Sequence, residues 1–146
     1  MNNKEIYAAI LEQNPVKRSI FKKTLMAFLI GGIIGLIAQA LIGLYTELLG
    51  IELKISQSLM AMTIVFVTSI LTGLGIFDKI GQHAGAGTFI PITGFANSMT
   101  SSAIESRSEG VVLGIMTNMF KLAGAIIVAG VVSSFVSGLI IYIVRF

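Results

Sequence analysis

The sequence contains no cysteine and no tryptophan, and it has a single histidine. Without cysteine there is no disulfide framework, no thiolate nucleophile and no cysteine-based metal site. One histidine also excludes a multi-histidine metal site within one chain, so we expect neither a metal nor a cofactor. Charged residues are scarce as well: they make up 12% of the 146 residues, about half of the roughly 25% typical of a soluble domain.

Apolar residues dominate the chain instead. They account for 55% of it, and the mean hydropathy is +0.92. A single domain of 15.5 kDa cannot bury that much apolar surface in its own core, because small domains leave much of their surface exposed. We therefore predict an all-α, polytopic membrane protein whose main partner is the lipid bilayer. The net charge of +3 is modest and argues against a nucleic-acid partner.

Long uncharged intervals indicate where the chain crosses the membrane. A spanning helix needs about 20 apolar residues. We predict about four passages: 24–46, 56–77, a broken or re-entrant 80–104, and 110–145. Ala38-Gln39-Ala40 resembles a signal-peptide cleavage site, but the apolar run continues past it, which favours a retained span.

Residues 1–23 are predicted to form a cytoplasmic N-terminal segment. Four apolar residues fall on one side of a short helix that ends near Pro15, and four basic residues follow that point. Such a helix lies on the membrane surface or on a soluble partner. Because an excess of Lys and Arg marks the cytoplasmic side, the loop 47–54 should be external. The apolar residues are Ile6, Tyr7, Ile10 and Leu11, and the basic residues are Lys17, Arg18, Lys22 and Lys23.

Segment 80–104 carries no charge, yet it is too polar for a helix that faces lipid. Gly85, Gly87 and Pro91 would interrupt a continuous helix, and Gly94 follows closely. Backbone that leaves the helix at membrane depth persists only where protein or a water-filled cavity satisfies it. We predict a glycine-rich stretch over 81–87 and then a short helix from about Pro91 to Ile104. The alternative is a plain cytoplasmic loop.

A helix that starts near Pro91 would present its N-terminus to a solute. Helix N-termini attract anions, and broken membrane helices hold carboxylates in this way. Four side chains would add donors, and two more flank the glycine stretch. We predict a pathway for a small polar or anionic solute, although the histidine is more often a structural residue than a proton relay. The candidate pore residues are Thr88, Thr93, Asn97 and Ser98, with Gln82 and His83 beside them.

Lys121 interrupts the last apolar run. One helix over 110–144 would measure roughly 50 Å against a hydrocarbon core of about 30 Å, so the run either breaks near 122–124 or protrudes. A lysine at the membrane centre costs about 2.5–3.5 kcal/mol, so it should face water or a partner charge. It snorkels to the interface, lines a conduit for an anion, or pairs with another group in a purely structural role. Gly31 and Gly35, and small residues spaced by four from Gly130 to Gly138, predict close helix packing.

No catalytic set is present. There is no Ser-His-Asp arrangement with supporting spacing and no HExxH motif, and Gly85-Ala86-Gly87 lacks the preceding strand of a dinucleotide site. We expect a protein that is not an enzyme.

The segment FDKIGQHAGAGT, from Phe77 to Thr88, continues into PITGFANS, from Pro91 to Ser98. This pattern resembles the stage V sporulation protein AC family of spore-forming Firmicutes, which are membrane subunits of the SpoVA complex. FLIGG at 28–32 and the residues from Glu105 to Gly114 are also similar. The likeness runs from about Phe21 to the end. A smaller sister subunit, the AE type, shares the core pattern, but the longer basic N-terminal extension favours AC.

The resemblance implies a channel-forming subunit that moves dipicolinic acid, with calcium, across the inner membrane of the forespore or spore. Uptake would occur in sporulation and release in germination. It also implies partners among the other SpoVA subunits, including a soluble cytosolic one. Since so few spans cannot enclose a pore alone, we expect a homo- or hetero-oligomer. The alternatives are a stretch-gated, nonselective osmolyte channel and a membrane scaffold for soluble partners.

Overall fold

The computed structural model describes residues 19–145, and every regular element in this range is helical. The predicted N-terminal amphipathic helix lies outside the described residues. Helix α1 spans Ile20–Gly43 and continues as a π-helical turn, Leu44–Leu48. The remaining elements are α2 Leu53–Gly73, α3 Ile76–Ala84, α4 Ala86–Phe89, α5 Ile92–Glu105, a 3-10 turn Ser106–Glu109, and a π-helical segment Val111–Met116 that leads into α6 Thr117–Arg145. The prediction of an all-α chain is confirmed.

Three of these helical stretches are long and apolar enough to cross a membrane: Ile20–Leu48, Leu53–Gly73 and Val111–Arg145. This is one fewer than the four passages predicted. The difference lies in segment 80–104, which forms parts of three short helices; the longest, α5, has 14 residues. At 1.5 Å per residue it measures about 21 Å, less than the hydrocarbon thickness of about 30 Å. The predicted break is therefore present, and because of it segment 80–104 contains no helix long enough to cross the membrane fully.

The last helical stretch runs for 35 residues without a break near 122–124. Of the two alternatives considered for it, a break or a long protruding helix, the structure has the second. The second span ends earlier than predicted, at Gly73, because the chain turns at Gly75, where φ is +69°. That left-handed conformation is easily adopted only by glycine.

The interior of the bundle is more polar than its surface. Within residues 19–145, the buried apolar side chains are Ile64, Phe77, Ala84 and Ala96, whereas seven polar side chains are buried. Most of the large apolar side chains of α1 and α6 are exposed. In water this distribution would be unstable, but it suits lipid, where apolar groups face outward and polar groups need partners inside the protein. The buried polar residues are Ser56, Thr68, Thr72, Thr88, Thr93, Asn97 and Ser106.

The broken segment fills the space beside the first two spans. Helix α4 packs on α1, and α5 packs along α2. One of the predicted small-residue contacts, that of Gly31, is present: a Cβ atom on Gly31 would lie 3.5 Å from the Gly87 Cα. Gly35, Gly130 and Gly138 have no neighbour within 4 Å of such an atom, and α6 has no buried residue. Close packing along α6 stays a prediction for contacts outside this chain.

Candidate functional site

Two local breaks shape the segment between α3 and α5. At Gly85 φ is +51° and ψ is −124°, a conformation that is strained for any residue with a Cβ atom. This residue ends α3 and precedes α4. At Pro91, φ is −66° and ψ is 175°, and the residue caps the start of α5, where its missing N–H would have no helical partner anyway. The predicted short helix from about Pro91 to Ile104 is confirmed to within one residue at each end.

The other two predicted hinge glycines allow close backbone approach. A Cβ atom on Gly87 would collide with the backbone carbonyl of Ala27 on α1. One on Gly94 would collide with the carbonyl of Phe89. Glycine at these positions therefore lets α4 rest directly on the backbone of α1, and it lets the chain fold back tightly before α5.

Thr88 and Thr93 satisfy carbonyl groups at the break. The Thr88 hydroxyl donates to the Gly85 carbonyl at 3.0 Å, and the Thr93 hydroxyl donates to the Thr88 carbonyl at 2.9 Å. Both side chains are buried. Threonine hydroxyls commonly take up carbonyls freed where a membrane helix is interrupted. In this conformation the two predicted donors are therefore engaged with the chain itself.

Asn97 connects the broken segment to α2. Its side-chain carbonyl accepts a hydrogen bond of 2.9 Å from the Thr72 hydroxyl, which also lies 2.8 Å from the Thr68 carbonyl. A threonine hydroxyl has one proton, so these two acceptors share it. Sequence reasoning did not select Thr68 or Thr72. Their four-residue spacing after Ile64 was the available signal, because it places all three on one face of α2.

A cavity of about 290 Å³ lies between α1, α2 and the broken segment. Its walls are mainly isoleucine, leucine and valine, but threonine side chains from α2 and the broken segment also line it. Thr68 is 3% exposed, and its hydroxyl has no hydrogen bond to any residue in the range 19–145. The cavity is thus apolar with an available hydroxyl in its wall. The threonines that line it are Thr63, Thr68, Thr88 and Thr93.

Of the predicted pore residues, Thr88 and Thr93 line this cavity, and the others do not. Asn97 is buried beside it, but neither Asn97 nor its partner Thr72 is part of the cavity wall. Ser98 lies on α5, where its hydroxyl donates to the Phe95 carbonyl at 2.9 Å. Gln82 and His83 are exposed on α3 and line a separate groove near the start of α1. Lys121 is exposed on α6 and does not line the cavity.

The chain is similar to one known protein family and to a characterised member of it. The sequence profile described as "SpoVAC/SpoVAEB sporulation membrane protein" matches residues 23–140. The chain belongs to this SpoVAC/SpoVAEB family. It is 45% identical over 139 residues to "Stage V sporulation protein AC" of Bacillus subtilis (strain 168), a match that covers 95% of this chain and 93% of that protein. No solved structure matches the chain.

The SpoVAC/SpoVAEB match covers the parts of the chain that build the site. Residues 23–140 contain nearly all of α1, all of α2, the broken segment and most of α6. The predicted family resemblance is confirmed, and the chain is a sporulation membrane protein of this family.

Proposed function

We propose that the chain is a channel-forming subunit of the SpoVA complex that moves dipicolinic acid, with calcium, across the inner membrane of the spore. Uptake would take place during sporulation and release during germination, with the N-terminus on the cytoplasmic side. Family membership supports this proposal. The observation that carries it is the hydrogen bond between Asn97 and Thr72, which is buried inside a bundle whose outer surface is apolar. Beside it lies the Thr68 hydroxyl, which has no hydrogen bond within residues 19–145.

Dipicolinate is a planar dianion, so it cannot cross hydrocarbon unaided. Burying an isolated carboxylate in an apolar medium is prohibitive unless polar groups replace its water. Helix α5 supplies the amide of Asn97 and α2 supplies the hydroxyl of Thr72, and four further threonine side chains line the neighbouring cavity. The start of α5 adds the partial positive charge of a helix N-terminus. Together these groups form a polar surface along which an anion could pass.

The conformation described here corresponds to a closed state of such a channel. The hydroxyls of Thr88 and Thr93 are bonded to backbone carbonyls, and the cavity next to them has apolar walls. Apolar constrictions exclude water and thereby block ions. Opening would then require α5 to move away from α2, which would break the bond between Asn97 and Thr72 and expose their polar groups to the pathway.

A complete pore requires further chains. Three membrane-length helices are too few to surround an aqueous passage, and α6 exposes apolar side chains along most of its length. We propose that the partners are other SpoVA subunits, including a soluble one on the cytosolic face, and that copies of the chain or its sister subunits complete the pore. Lys121, exposed on α6, would then face water or an acidic partner group, as the membrane cost of an unpaired lysine demands.

The proposal is tested by dipicolinate loading in spores that carry variants of this chain. Asn97→Ala and Thr72→Val should each lower the dipicolinate content, while immunoblots show normal levels of the protein and of its partner subunits. The matched control is Ser101→Ala, an exposed position on the same helix, which should load normally. Normal loading in both pathway variants, at wild-type protein levels, would rule the proposed pathway out.

The apolar cavity supports a second candidate, a stretch-gated and nonselective osmolyte channel. A cavity between helices that lie in lipid enlarges when tension spreads them. Patch-clamp recording of the purified chain in liposomes separates the two candidates. Tension-dependent currents that do not discriminate dipicolinate from chloride favour the second one. A third possibility, a scaffold for soluble partners, predicts that pathway variants are silent and that deletion of residues 2–14 abolishes function.

A further inference from the structure

A second groove, of about 670 Å³, lies where α1 begins. It is formed by the first two turns of α1 on one side and by the end of α3 and the start of α4 on the other. Because α1 is long and apolar enough to cross a membrane and starts at Ile20, we expect this groove at the membrane surface. It is separate from the cavity between α1 and α2, with which it shares no lining residue.

The groove has a positive charge that nothing in the described structure neutralises. Lys22 and Lys23 lie in the first turn of α1, which contains no acidic residue. Both side chains are exposed, and neither forms an ion pair with another residue of the range 19–145. No Asp or Glu of that range lines the groove. Cations are unfavourable near a helix N-terminus, where the aligned peptide dipoles already carry partial positive charge. An anion bound here would therefore offset the repulsion between the two lysines and the helix N-terminus.

The rest of the groove is suited to an amphiphile. Met26 and Ala27 continue the wall from the lysines toward the membrane interior. On the opposite side, the amide of Gln82 offers donors. The Nδ1 atom of His83 lies 2.9 Å from the Lys79 carbonyl, which makes Nδ1 the donor of that bond and leaves Nε2 available to another partner. The groove therefore combines cations, a donor, an available ring nitrogen and an apolar wall.

We propose that this groove binds a phospholipid with an anionic, hydroxylated headgroup, such as a glycerol phosphate diester. Lys22 and Lys23 bind the phosphate, Gln82 and His83 contact the headgroup hydroxyls, and an acyl chain lies along Met26 and Ala27. Clusters of Lys and Arg at the cytoplasmic end of a spanning helix attract anionic lipids. The proposal is independent of the proposed function, since neither Asn97 nor Thr72 nor any residue of the inner cavity lines the groove.

The test uses the full chain purified in a neutral detergent, with binding measured by native mass spectrometry. The probes are dioctanoyl phosphatidylglycerol, dioctanoyl phosphatidylcholine and inorganic phosphate. We expect phosphatidylglycerol to bind, and the Lys22→Gln/Lys23→Gln variant to bind it about 30-fold more weakly, since each lysine near a membrane surface contributes roughly fivefold. The Lys22→Arg/Lys23→Arg variant, which keeps both charges, should retain most of the affinity.

A double variant outside the groove provides the matched control. Lys54→Gln/Arg145→Gln removes two positive charges from exposed positions that do not line the groove, and it should bind phosphatidylglycerol as the unmodified chain does. The proposal is overturned if the control loses as much affinity as Lys22→Gln/Lys23→Gln, or if phosphatidylcholine binds equally well. Equal occupancy by inorganic phosphate at the same concentration would identify a site for a soluble anion and overturn the assignment to a lipid.

Discussion

Asn97 and Thr72 are 25 residues apart in the sequence and share a hydrogen bond of 2.9 Å inside the helix bundle. Thr72 is next to the last residue of α2, and Asn97 is the sixth residue of α5. The bond therefore fixes the start of the short helix against the end of a membrane-length one. It is the polar contact that ties the broken segment to the second span, and it is central to the predictions below.

A double-mutant cycle on this pair should show a positive coupling. Thr72→Val keeps the side-chain shape but removes the hydroxyl, and Asn97→Leu removes the amide. We expect the two together to cost less than the sum of the single changes, with a coupling of about 0.6 kcal/mol and at most about 1.7 kcal/mol, as for other hydrogen bonds between membrane helices. Equilibrium unfolding in mixed micelles measures this, with a tryptophan at lipid-exposed Phe66 as the reporter, since the chain has none. Strict additivity would contradict the contact.

Gly87→Ala should destabilise the protein, because the added methyl group would meet the backbone carbonyl of Ala27. Overpacking of this kind costs about 1–3 kcal/mol, and a backbone atom cannot move aside as a flexible side chain does. The control is Gly32→Ala, where nothing lies within 4 Å of the new atom and alanine improves the helix by up to about 1 kcal/mol. The melting temperatures of the two variants in detergent should move in opposite directions. Equal shifts would show that α4 does not rest on α1.

Thr68→Val should separate stability from transport. The Thr68 hydroxyl has no hydrogen bond within residues 19–145, so its replacement by a methyl group should change the free energy of unfolding by less than about 0.5 kcal/mol. Dipicolinate movement should nevertheless fall, because an available hydroxyl is lost from the cavity wall. Thr72→Val is the matched comparison, since it breaks a bond that exists. A loss of stability above about 1 kcal/mol for Thr68→Val would mean that the hydroxyl has a structural role.

Single cysteines can report the proposed opening directly, because the chain has no native thiol. A cysteine in place of the exposed Gln82 should react with a water-soluble thiol reagent in every state. Cysteines at Thr88 and Thr93, which are 1% and 6% exposed, should resist it in the resting protein. They should become reactive when dipicolinate release is triggered. Continued protection of both positions during release would place the solute pathway elsewhere in the complex.

The glycine and proline positions show how much of the site could be predicted from the sequence. Gly85 and Pro91 restrict the backbone by their own covalent structure, so their effect could be predicted without a partner, and both breaks are where they were expected. Thr68 and Thr72 were missed because threonine is compatible with an ordinary membrane helix. Thr72 is singled out by its bond to Asn97 and Thr68 by the cavity that it lines. Both depend on how the broken segment packs against α2, which no local sequence pattern specifies.

The expected site was too broad for a related reason. Ser98 and Asn97 are adjacent in the sequence, but on a helix adjacent residues point about 100° apart, so they cannot share a partner. Asn97 is buried against α2, whereas the Ser98 hydroxyl donates to its own helix. Gln82 and His83 were expected beside the glycine break and are beside it in the chain, but α3 turns them toward the groove at the start of α1.

Composition and charge spacing alone determined that this chain is a helical membrane protein. A chain of 15.5 kDa with 55% apolar residues cannot bury them all in its own core, so they face lipid. Lipid in turn requires every backbone group to form its hydrogen bond within the protein, as a helix does. The tertiary structure decided which polar groups meet. Three membrane-length helices within residues 19–145 instead of four passages, the pairing of Asn97 with Thr72 and the separation of the basic groove from the inner cavity all depend on how the broken segment folds and packs beside α1 and α2. That packing is set by contacts between residues far apart in the sequence, such as Gly87 with Ala27.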